Sequence, residues 1–182
     1  MIKKCFVAFL LGLTAILLLS SCSLGGENIF SRFNDDDEEV ALENFKKILT
    51  AIEENDSQVL KELFAKTTSF EVADLSESIN KLMDFVEGKV TSIDDWGGPA
   101  TYGGINEDGS GRVWKDIEST FDVETTEGKY RFAVQLYTND TANKDNVGVH
   151  SIYVIKAEDD PDSECAYGGD GKWTPGINFN MH

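Results

Sequence analysis

The side chains able to do acid–base, metal or thiol chemistry fall into a few types. The 182 residues hold 33 aspartates and glutamates, two histidines and three cysteines. His150 lies inside the patterned part of the chain, whereas His182 is terminal. A histidine titrates near neutrality, and a neighbouring carboxylate makes it half of a general acid–base pair. Asp116 or Asp122 would be that neighbour. The plainer expectation is a histidine satisfied by a backbone carbonyl or by solvent. No catalytic residue is therefore assigned, and His150, Asp116 and Asp122 stand as candidates.

Two acidic runs invite a metal reading. Asn106-Glu107-Asp108-Gly109-Ser110-Gly111 has oxygen ligands at alternate positions, as a calcium loop does. Such a loop also needs a bidentate glutamate at its twelfth position. Counting from Asn106, that position is Ile117, and Glu118 comes one residue late. Asp159-Asp160-Pro161-Asp162-Ser163-Glu164 reads as a solvated turn. No metal site and no cofactor is expected. Cys165 follows carboxylates that disfavour a thiolate, so it is not a catalytic thiol.

Trp96-Gly97-Gly98-Pro99 and Tyr102-Gly103-Gly104 set aromatic rings on adaptable backbone, a composition common at binding sites. Trp96, Tyr102 and Trp173 are the ligand-binding candidates. The alternative is that these rings pack under their loops. No phosphate-loop, Gly-x-Ser-x-Gly or His-Glu-x-x-His pattern occurs.

The elements that must position these groups follow from periodicity. Ala41, Phe45, Ile48, Leu49 and Ile52 form the apolar stripe of a helix over Val40–Glu54. Asn55-Asp56-Ser57 breaks it and caps a second helix, with Val59, Leu60, Leu63 and Phe64 inward. Lys66-Thr67-Thr68-Ser69 reads as a polar break. Leu75, Ile79, Leu82, Met83 and Val86 carry a third helix, ended by Gly88. Lys89–Ile93 is a short strand. Asp94–Gly111, with six glycines and one proline in eighteen residues, reads as loop. Trp114–Thr125 and Tyr130–Leu136 alternate around a Glu127-Gly128 turn and make a β-hairpin. Val147–Ala157 is a further strand. Its middle, Ile152–Ile155, is apolar on both faces and so expects cover on both sides. On simple alternation His150 shares a face with Gly148 and Ile152. The tail, Gly168 to His182, is read as adding a last short strand. Helices first and strands after predict an α+β fold, N-terminal helices packed on a curved antiparallel sheet.

The first residues carry a different signal. Lys3 and Lys4 precede an apolar or neutral run from Phe6 to Leu19, shorter than the ~20 residues of a bilayer span and fitting the core of an export signal. Leu19-Ser20-Ser21-Cys22 resembles a bacterial lipobox. That resemblance implies cleavage before Cys22 and a diacylglyceryl group on its sulfur. The chain then divides into a signal peptide (1–21), a lipidated tether (22–38) and one domain (39–182). Loss of the signal drops the basic count from 16 to 14 against 33 acidic residues, and the charge from −17 to −19. Such a charge excludes nucleic acid as a partner, because phosphate contact needs a basic face. With Cys5 removed and Cys22 lipidated, Cys165 has no intramolecular partner.

The passages "FVEGKVTSID", "KYRFAVQLYTNDTANKDNVGVHSIYVI" and "WTPGI" resemble an uncharacterised lipoprotein family of Gram-positive bacteria, classed as a domain of unknown function. "NFKKILTAIEENDSQVLKELFA" resembles the opening of a nuclear-transport-factor-2-like (cystatin-like) cone. The resemblance implies an extracytoplasmic, lipid-anchored protein at the cell membrane, with a cone that binds an unknown small molecule or protein. It carries no catalytic residue. The alternative it leaves open is a pocket enzyme with His150 pointing into the cone beside an aspartate.

Overall fold

The computed structural model describes residues 37–96, 98–105, 111–160, 162–163, 165 and 171–179. Cys22 with its signal and tether, the 106–110 part of the calcium-like run, and His182 lie outside them.

Helix α1, Asp37–Glu53, buries Ala41, Phe45, Ile48, Leu49 and Ile52, the stripe its sequence sets out. Three acidic residues in its first turn suit the positive end of the helix dipole. One of them, Asp37, is buried and paired with Lys115, and Thr101 Oγ1 donates to it at 2.8 Å. Asn55 takes a left-handed φ of 54°, and Asp56 caps α2, Ser57–Leu63, by accepting from the Val59 amide at 2.9 Å. Leu60 of α2 is fully buried, but Val59 faces solvent rather than the core.

A second departure follows. Lys66–Ser69 is not a break but the start of a short helix, α3, Lys66–Glu71. Its register comes from tertiary contacts, not from an apolar stripe. The Ala65 amide donates to the Val149 carbonyl at 2.9 Å, and Thr68 is fully buried. Helix α4, Leu75–Phe85, buries Leu75, Ile79 and Leu82. Among the described residues no helix is long and apolar enough to cross a membrane.

Among the described residues the sheet has six strands: β1 Val90–Asp95, β2 Ala100–Ile105, β3 Val113–Thr125, β4 Lys129–Asp140, β5 Gly148–Lys156 and β6 Gly176–Asn178. Their order is β1-β3-β4-β5-β6, antiparallel except that β6 runs parallel to β5. Strand β2 lies in the segment whose glycines read as loop. It pairs with Val113–Glu118 of β3, on the edge that β1 occupies farther along. Six residues with two adjacent glycines and half-exposed apolar positions give no strand signal by composition.

The sheet separates two apolar layers. Ile117, Phe121 and Val123 of β3, Phe132 and Val134 of β4, and Ile152 and Val154 of β5 face the helices. Phe45 stacks flat on Phe121, with centroids 4.0 Å apart, and meets Phe132 edge-on at 5.3 Å. On the opposite face Ala133, Tyr153, Cys165 and Trp173 form a second cluster with Ile155. The double cover expected of Ile152–Ile155 is thus present.

Gly148 opens β5 at a φ of +130°. A Cβ there would come within 2.8 Å of the Ala65 amide nitrogen and 3.0 Å of the Leu63 carbonyl oxygen. Both are backbone atoms and cannot swing away. Gly148→Ala is expected to cost about 1–3 kcal/mol from backbone strain, with more from the clash, measured by urea unfolding. An unchanged midpoint would show that the segment before α3 is not held against β5.

Candidate functional site

Register alone assembles a polar row on the face away from the helices. Tyr102 of β2 lies opposite Asp116 of β3, and Asp116 lies opposite Tyr137 of β4. One pair along, Ala100 faces Glu118, and Glu118 faces Gln135. Residues directly opposite in an antiparallel pair project to the same side, with neighbouring Cβ atoms. Asp116 and Glu118, two apart on one strand, therefore stand side by side.

One amide serves both acids. Gln135 Nε2 donates to Asp116 Oδ2 at 3.1 Å and to Glu118 Oε1 at 3.2 Å. The Trp173 side chain donates a further hydrogen bond to Glu118. Asp116 is 3% exposed. Burial pushes its carboxyl above the ordinary range, against the lowering effect of Gln135. Glu118 is raised too, first by burial and then by the charge of Asp116, with Trp173 and Gln135 pulling the other way. The Tyr137 phenol beside them is raised by burial and then by Asp116. Neutral donors thus hold a pair of carboxylates that repel each other. Tyr102 at one end of the row is half exposed. Trp173, by contrast, is buried in a left-handed conformation, edge-on to Tyr153 at 6.0 Å.

His150 does not join either aspartate. The register of β4 against β5 slips between Gln135, opposite Ser151, and Leu136, opposite Val149. His150 is the extra residue of that bulge. A bulge interrupts alternation and re-aims a side chain, so the face shared with Ile152 on simple alternation is lost. The ring of His150 meets Tyr137 edge-on at 5.7 Å, and its Nδ1 lies 3.3 Å from Thr68 Oγ1. Burial pushes its pKa down, and Glu71 opposes that. Asp116 lies two strands away, roughly 10 Å at ordinary strand spacing.

Asp122 is committed elsewhere. Arg131 grips it with Nε at 2.7 Å and Nη2 at 3.0 Å, and reaches Asp160 with Nη1 at 3.0 Å. The Trp96 ring lies on this guanidinium, 4.3 Å from its carbon. Trp96 therefore covers an ion-pair network rather than an open site. Asp160 also accepts from the Cys165 amide at 3.3 Å. Cys165 is fully buried, and burial, then Asp160, pushes its thiol up to about 12. A thiol held protonated in this way is a poor nucleophile at neutral pH.

On the helix-facing side of the sheet the described residues enclose a small void. This void of about 10 Å³ beneath Pro99, lined by Ala41, Ser119 and Phe121, has space for about one water. Ser119 Oγ there is the buried side-chain oxygen without a protein partner among the described residues. A cleft of about 520 Å³ at the hairpin turn is open and of mixed charge, with Glu87, Glu127, Lys129 and Lys156 on its walls.

Of the candidates named from sequence, Tyr102, Asp116 and Trp173 meet in one place, while Trp96 and Asp122 meet in another. Glu118, Gln135 and Tyr137 were not candidates. The alternation of β3 and β4 puts them on the face of Asp116, and that pattern was the available signal.

No curated protein matches the chain. The sequence pattern of a domain of unknown function, DUF5104, matches residues 47–157, more than half of the chain and the span from the middle of α1 to the end of β5. That span contains Tyr102, Asp116, Glu118, Gln135 and Tyr137, and leaves out Trp173. The chain belongs to the DUF5104 family.

Proposed function

We propose that this chain is an extracytoplasmic lipoprotein of a Gram-positive bacterium, anchored through Cys22, whose folded part is a non-enzymatic binding domain. Its fold is read as a cone of the nuclear-transport-factor-2-like kind, whose helix side, among the described residues, is lined by packed apolar side chains. The ligand face is then the opposite one, along Tyr102, Asp116, Glu118 and Tyr137. It takes a cationic group, an ammonium or a guanidinium.

The observation that carries this reading is the shared amide. Two carboxylates lean on Gln135 Nε2 at 3.1 and 3.2 Å, and their other side-chain partner is a neutral indole. Burial raises both, and among the described residues no cation is paired with either. A bound cation supplies the countercharge, and flanking phenol rings favour it further.

Calorimetry on the full chain in neutral detergent tests this, with N-acetylarginine amide as probe and N-acetylcitrulline amide, which carries no charge, as neutral control. Glu118→Gln is expected to weaken N-acetylarginine amide binding about tenfold or more, the worth of a hydrogen bond to a charged group. Cations and protons compete for the same oxygens, so affinity should rise with pH through the raised carboxyl values. Equal affinity for the two amides, or none for either, overturns the reading.

A further inference from the structure

The edge of the sheet beside this row lacks the usual protections. Sheet edges are kept from pairing by lysine, proline, inward charges or bulges. Strand β2, Ala100-Thr101-Tyr102-Gly103-Gly104-Ile105, has no charged residue and no proline, and its register with β3 is unbroken. Among the described residues it pairs with β3 alone. Tyr102 and Ile105 are each 51% exposed. A backbone with free ladder groups and an exposed ring is a template for a further strand.

We infer that β2 receives an extended basic segment of a partner protein, which adds as a strand to the free edge and lays a lysine or arginine across Tyr102 toward Asp116 and Glu118. The inference rests in part on the cation reading of that row and names its partner. Strand spacing sets the reach. An added strand lies about 4.8 Å from β2 and so about 10 Å from β3. A lysine or arginine opposite Tyr102 spans that gap. Its stem covers the phenol ring and its charge arrives at the carboxylates.

Charge chooses the occupant. A second copy would offer the same uncharged edge, bring its own net charge of −17, and contribute no basic side chain from β2. A basic segment gains from both the acid pair and the overall field. Main-chain hydrogen bonds supply affinity, and the residue opposite Tyr102 supplies selection.

Three blocked seven-residue peptides test this on the full chain in neutral detergent. One alternates valine and lysine, one alternates valine and glutamate, and one is the valine–lysine peptide N-methylated on alternate amides. Amide exchange is followed over Ala100–Ile105, and NMR follows the Gln135 side-chain amide. The valine–lysine peptide is expected to slow exchange in β2 and shift Gln135. N-methylation should weaken it about tenfold, the loss of about two ladder hydrogen bonds, and remove the protection. Tyr102→Lys, an exposed change, should abolish protection without lowering the melting temperature. Equal binding of the N-methylated peptide, protection elsewhere in the sheet, or self-association through β2 without peptide overturns the inference. If the N-methylated peptide shifts Gln135 with undiminished affinity, the cation row stands and the edge fails. If no peptide shifts it, both fail.

Discussion

Asp140→Ala is expected to lower the stability of the domain by about 3 kcal/mol, the scale for breaking a buried ion pair from one side. The melting temperature should fall by roughly 10 °C for a domain of this size. Asp140 ends β4 and is 1% exposed. Its carboxylate accepts from Arg112 Nε at 3.0 Å, Asn146 Nδ2 at 2.7 Å, and the amides of Ala142 and Asn143 at 3.0 and 3.2 Å. The Arg112 guanidinium, first among these, holds the carboxyl well below the usual carboxylate range. One side chain thereby ties the residue before β3 to the end of β4 and to the 144–146 turn. Alanine leaves four donor groups without their acceptor. Arg112, one-third exposed, can turn to water, which keeps the loss from the top of the range.

The pH dependence gives this prediction a sign. A carboxyl lowered by folding stabilises above its unfolded value near ~3.9, and that contribution disappears as pH falls through the folded value. The gap between wild type and Asp140→Asn should be full at pH 7 and close progressively below about pH 4. Asp116 and Glu118 work in the opposite sense. Their carboxyls are raised, so their ionised forms oppose folding at neutral pH, and protonation removes that cost as the pH falls. Asp116→Asn should therefore be neutral or stabilising by up to about 1 kcal/mol at pH 7. Binding residues that cost stability when empty are a common trade. An undiminished gap for Asp140→Asn at pH 2 would refute the assignment of its stability to the Arg112 pair.

The parts of this fold that the sequence displays are those where one periodicity suffices. The stripe from Ala41 to Ile52 needs no tertiary information, and neither does the alternation of Ile117, Phe121 and Val123 or the turn at Glu127-Gly128. What it hides depends on contacts between distant segments. Helix α3 has no apolar face of its own and is set by Ala65 against Val149. Strand β2 reads as loop because its energy lies in backbone pairing with β3, which composition does not report. The bulge at His150 is invisible for the same reason, since it is a property of two strands in register. That one-residue slip also decides the site. Alternation seated His150 with Ile152, and the slip turns it to Tyr137 and Thr68. Asp116 was legible as a strand carboxylate. Its partner Glu118 reads in the sequence as a carboxylate one residue late for a calcium loop, because pairing through Gln135 requires the hairpin register.

The largest effect expected anywhere in the chain is that of Cys22→Ala on location. In the lipoprotein reading, two acyl chains on that sulfur hold the protein, each buried methylene contributing about 0.8 kcal/mol. A single chain gives marginal attachment, and two make it stable. Alanine has no sulfur to carry the diacylglyceryl group, so both chains go together and the change is close to all-or-none. Cells fed an alkyne-tagged fatty acid should label the wild type and Cys165→Ala but not Cys22→Ala. After an alkaline wash the labelled proteins should stay with the membrane, while Cys22→Ala is released. The Phe6–Leu19 run, left uncut in the variant, is too short to replace the anchor as a bilayer span. Label on Cys22→Ala, or its full retention after the wash, would refute lipidation at this residue.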